Sequence, residues 1–99
     1  MIKLIDIIEQ VKDENLSKEQ LEDYYSMACQ LRTEISMQLA DYLKKEALFM
    51  VSSTEGSVAS KKVAWKGSQE GQRLIELKSY ATAIKSLLDG LKNRIYSKL

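Results

Sequence analysis

Lys61, Lys62 and Lys66 surround Trp65 in the segment Lys61-Lys62-Val63-Ala64-Trp65-Lys66, and Arg73 follows shortly after. Ammonium and guanidinium groups around an aromatic ring are the minimal equipment for single-stranded nucleic acid. The cations track phosphates and the indole face accepts a base. On a helix Lys62 and Lys66 are neighbours one turn apart, and Trp65 lies within a turn of Lys61 and Lys62. The same residues admit a second reading, in which Trp65 is a packing anchor and the lysines lay their stems beside it. Lys92, Arg94 and Lys98 close the chain, where cations suit the end of a helix whatever the ligand.

Other chemistry finds little to work with. The chain has no histidine, so the commonest general base and metal ligand is missing. Its one cysteine, Cys29, cannot form an internal disulfide or supply a zinc ligand set. It reads as a small half-buried residue on a helix, in a protein of the reducing cytoplasm. No phosphate-binding loop, dinucleotide fingerprint, nucleophile elbow or calcium loop is present. Glu19, Glu22 and Asp23 fall in the first turns of a helix, where carboxylates favour the dipole and face water. Neither catalysis nor a cofactor is expected.

The elements that must carry these residues are helical. There is no proline in 99 residues, which favours long uninterrupted helices. Ile2, Leu4, Ile5, Ile7, Ile8 and Val11 make one wide face of a short helix over about 2–12. Asp6 and Glu9 break it as a signal-peptide core, and no stretch approaches a membrane span. Ser17 and Gln20 form a capping box, with Leu16 and Leu21 at the hydrophobic-staple positions, so the next helix should start at Lys18. Its stripe of Leu21, Tyr24, Ala28, Leu31, Ile35, Leu39, Tyr42 or Leu43, Ala47 and Met50 predicts a helix over about 18–50, a rod of roughly 50 Å at about 1.5 Å per residue. Ser52 and Glu55 stand ready to cap a third helix over about 57–66. Gly67 and Gly71 should produce a kink, loop or hinge. A last helix over about 72–97 follows.

That last helix has an apolar stripe of Leu74, Leu77, Ala81, Ile84, Leu88, Leu91 and Ile95, at the three-and-four spacing of a coiled coil. The expected fold is all-α: one domain over 1–99, with a short N-terminal helix and a long antiparallel helical hairpin. Tyr25, Leu48, Phe49, Leu87 and Tyr96 widen the stripes beyond what a hairpin covers, so a homo-oligomer joined along 74–95 is expected. Charge divides unevenly, with six Lys/Arg against ten Asp/Glu in residues 1–50 and nine against four in 51–99. The acidic residues Asp13, Glu14, Glu19, Glu22 and Asp23 are a candidate docking surface.

The basic segment together with Leu77-Lys78-Ser79-Tyr80, Ile84, Leu87-Leu88-Asp89 and Leu91-Lys92-Asn93-Arg94 resembles the UvsY-like recombination mediators of bacteriophages. Trp65 departs from that pattern, which has an aliphatic residue there. The resemblance implies an oligomeric accessory factor, in the bacterial host cytoplasm, that binds single-stranded DNA. Such a factor helps load a recombinase onto strands coated by single-strand-binding protein. Lys61, Lys62, Lys66 and Arg73 would then meet phosphates and Trp65 a base. The alternative is a helical interaction module whose partner is a protein, such as a regulator or inhibitor of a host factor, or a structural oligomer in virion assembly.

Overall fold

A computed structural model describes residues 2–52 and 56–99, with the side chains of Ile2 and Lys3 left aside. The order is α1 (Ile2–Gln10), α2 (Lys18–Ser52), α3 (Val58–Gly67) and α4 (Gln69–Ser97), and the described residues contain no strand. The fold is all-α, a short N-terminal helix followed by two long helices that pack on each other as a helical hairpin. The chain divides into two compact units, Met1–Glu34 with Ala81–Leu99, and Ile35–Tyr80. Each unit pairs one end of α2 with the opposite end of α4, which makes the two helices antiparallel.

In the first unit α1 ends earlier than its apolar spacing predicts. Val11 still donates to the Ile7 carbonyl, but Lys12 and Asp13 reach only three residues back, to Glu9 and Gln10. Such bonds tighten and close a last turn. Asp13 Oδ1 then accepts the Asn15 amide at 2.9 Å, a local turn of the kind Asp favours. The capping box forms as the sequence requires: the Ser17 amide donates to Gln20 Oε1 at 2.8 Å and the Gln20 amide to Ser17 Oγ at 3.2 Å. Leu16 and Leu21 on either side are buried. Arg94 of α4 ties the turn down, donating to the carbonyls of Val11 and Asp13. The core of this unit is Leu4, Ile7, Leu16, Leu21, Ala28, Leu31, Ile84, Leu88 and Leu91.

The second unit is smaller in core, with Ile35, Trp65, Leu74 and Leu77 buried. Two sequence expectations change here. Ser57, not Ser52, caps α3, its hydroxyl accepting the Ser60 amide at 3.1 Å. Ser52 is turned back into its own helix, where its hydroxyl donates to the Leu48 carbonyl at 2.7 Å. Glu55 lies outside the described residues. The second change is at the glycines: of the kink, loop or hinge expected there, the chain makes a one-residue corner at Ser68, and α4 is helical already from Gln69 instead of from about 72. Ser68 serves both helices. Its amide and its hydroxyl donate to the Trp65 carbonyl at 3.0 and 2.6 Å, and the hydroxyl accepts the Gly71 amide at 3.0 Å. One side chain therefore closes α3 and caps α4.

Candidate functional site

The five residues proposed for nucleic acid all fall in the second unit, on α3 and the first turns of α4, but in different environments. Trp65 is only 4% exposed and packs on Phe49, with ring centroids 5.5 Å apart at 47°. The tilt is a favourable one for two aromatic rings. Its Nε1 is buried and has no hydrogen-bond partner among the described residues. Buried to this degree, and packed on Phe49, the ring offers a base little surface in this conformation.

Lys61 and Arg73 are also engaged within the chain. Lys61 Nζ donates to the Met50 carbonyl at 3.0 Å, satisfying one of the last acceptors of α2. Arg73 reaches Gln38 Oε1 and Glu76 Oε2, each at 3.3 Å, and its guanidinium lies 6.0 Å from the Tyr80 ring centre. The Tyr80 hydroxyl donates to Glu76 Oε1 at 3.0 Å. That hydrogen bond, with help from Arg73, holds the Glu76 carboxyl below the usual carboxylate range, and the same bond pushes the Tyr80 phenol up. Lys62 and Lys66 remain exposed, with no ion pair among the described residues.

The stripe proposed to join copies sits mostly inside the chain. Leu74, Leu77, Ile84, Leu88 and Leu91 are buried within a single copy, and Ala81 and Ile95 are half-buried. Most of the stripe's apolar surface is therefore covered within the chain itself. Cys29 is half-buried, as its helix position predicts. Among the described residues no three potential metal ligands come together, and no helix is long and apolar enough to cross a membrane.

A different surface stands out on α2 between Met37 and Val51. Ten of these 15 residues are apolar, and they surround the helix instead of forming one stripe. A helix apolar all round is normally covered all round. Here Leu39, Tyr42, Phe49 and Met50 are half-buried on one side. Met37 is 70%, Leu48 68% and Val51 85% exposed on the other, and Ala40, Leu43 and Ala47 are exposed with them. Leu48 and Phe49 both look like flanking residues in the sequence. Phe49 turns in to Trp65 and Leu48 turns out. Ala47, and Leu43 as the alternative to Tyr42, are positions that three-and-four spacing assigns to the inward stripe, yet both lie on this exposed side, because apolar residues this dense define no single stripe.

No family model matches the chain, and no curated protein or solved structure matches it.

Proposed function

We propose that the chain is a non-enzymatic interaction protein that associates with other helices, its own copies included, through the outer side of α2 between Met37 and Val51. One observation carries this reading: a helical stretch apolar on both sides is covered on only one. Large exposed apolar side chains scattered singly need no explanation, but a row of them on one helix is the usual mark of an association surface. Leu48→Gln with Val51→Gln tests it. Light scattering across the micromolar range should show wild-type protein heavier than one chain, and the double variant monomeric with unchanged helicity. Wild-type protein that stays monomeric at every concentration overturns self-association. A variant as associated as wild type removes this face from it.

Single-stranded DNA binding by a recombination mediator is the second reading. It is favoured by the exposed Lys62 and Lys66, one turn apart and free of ion pairs among the described residues. Two phosphate contacts supply a weak, salt-sensitive affinity. With Trp65 buried and Lys61 and Arg73 engaged elsewhere, this reading has less to draw on than the apolar face.

A further inference from the structure

The outer row of α2 has a charge order that matches itself when reversed. Met37, Asp41, Lys44 and Leu48 follow one another at steps of four, three and four, so they share one side of the helix. All four are exposed. Read from the other end, the row runs Leu48, Lys44, Asp41, Met37.

We propose that this face pairs with the same face of a second copy, antiparallel about a two-fold axis, with Met37 against Leu48 and Asp41 against Lys44 of the other copy. The proposal rests on the association reading above and adds its partner and its geometry. A two-fold interface uses one patch twice, so every contact between unlike residues occurs in duplicate. Here that gives two apolar contacts at the ends and two opposite-charge contacts in the middle. Other registers lose this match. A parallel pairing in register sets Asp41 on Asp41 and Lys44 on Lys44. An antiparallel pairing shifted to centre on Lys44 brings the two ammonium groups together. Like charges held face to face are destabilising, and charge patterns on helices set partner and orientation in this way.

Both charges are available for the pairing. Lys44 has no ion pair among the described residues. Among the described residues Asp41 pairs with Lys45 alone, at 3.8 Å between exposed side chains, and Lys45 is shared with Glu70 at 3.7 Å. An exposed bridge of that kind holds its partners weakly. Ala40 and Ala47 flank the row on one side, where their small side chains let a second helix approach. Affinity would come from Met37 and Leu48, and register from Asp41 and Lys44.

The test is sedimentation velocity on the full chain at low salt. Lys44→Glu and Asp41→Lys should each raise the dimer dissociation constant by roughly tenfold, since each converts two attractive contacts into repulsive ones. Asp41→Lys combined with Lys44→Glu should return it to near the wild-type value. Lys62→Glu, which changes net charge as much as Lys44→Glu does, should leave it within about twofold. Wild-type protein that associates while the single variants associate equally tightly overturns the register and leaves the association reading intact. The same holds if the combined variant fails to recover. Monomeric wild-type protein overturns both.

Discussion

Gly71 lies so close under Trp65 that a methyl group on its α-carbon would sit 1.8 Å from the Trp65 carbonyl oxygen and 2.6 Å from the carbonyl carbon. The last turn of α3 and the first turn of α4 thus meet backbone to backbone. Ser68 bridges them with hydrogen bonds to Trp65 and Gly71. Gly71 is buried, and its backbone has an ordinary negative φ, so close approach and not an unusual conformation demands glycine there.

Gly71→Ala should therefore destabilise the chain by about 2–3 kcal/mol, because the overlap is with backbone that cannot rotate away. Gly90 in the exposed middle of α4 has nothing within 4 Å of an added Cβ. Gly90→Ala should stabilise by about 0.5–1 kcal/mol through helix propensity. Urea unfolding of the two variants checks the pair. A Gly71→Ala protein as stable as wild type would mean that the corner is looser than described.

Local signals in the sequence translated directly into structure. The Leu16-Ser17…Gln20-Leu21 pattern is complete within six residues, so nothing distant could overrule it, and both of its hydrogen bonds form. The stripe from Leu74 to Leu91 was equally readable as a buried seam. Periodicity does not say which chain covers a seam: the same spacing serves a joint between copies and packing within one chain. Residue type likewise marked Trp65 as important without saying whether its ring faced out or in. The glycines were read as helix breakers. At Gly71 the deciding fact is a contact with α3 that no spacing rule records.

Arg94 should act as a fastener for the first unit. Its guanidinium donates to the carbonyls of both Val11 and Asp13, a forked arrangement that a lysine ammonium cannot reproduce. Arg94→Ala should lower stability by about 1–2 kcal/mol, and Arg94→Lys should recover only part of that. The local signature is hydrogen exchange. Amides of residues 6–11 should lose protection ahead of those of residues 84–91, since α1 would then be held mainly by Leu4 and Ile7.

The Tyr80–Glu76–Arg73 cluster makes a prediction about pH. The native Glu76 carboxyl is held below its ordinary range, first by the Tyr80 hydroxyl and then by Arg73. Its contribution to stability is therefore present above the unfolded carboxylate pKa. It is lost as pH falls through the lowered native value. The phenol behaves in the opposite sense: raised by Glu76, it contributes below the ordinary tyrosine range and loses that as pH rises through the native value. In Tyr80→Phe the Glu76 titration followed by carboxyl NMR should move up toward the ordinary carboxylate range. An unmoved titration would show that Arg73 alone controls the group.

Trp65 separates the two functional readings, because it is the only tryptophan and reports on itself. At 4% exposure its emission should be that of a buried indole, and a single-stranded oligonucleotide should leave the intensity unchanged. Trp65→Ala should lower stability by about 3–5 kcal/mol, the range for emptying a buried aromatic site. Trp65→Phe should lower it much less, since it removes volume but also removes a buried N–H that has no acceptor among the described residues. Of the five residues proposed for nucleic acid, Lys62 and Lys66 are then the two left for phosphates. If they bind DNA, log affinity should fall against log salt with a slope near −1.4, two single-strand contacts at about −0.7 each. Lys62→Ala with Lys66→Ala should flatten it to near zero without changing the emission. Strong quenching by the oligonucleotide, together with a Trp65→Phe protein that folds normally but loses DNA affinity, would reverse the assignment. Trp65 would then be a base-stacking residue, and the apolar face of α2 would lose its claim as the working surface.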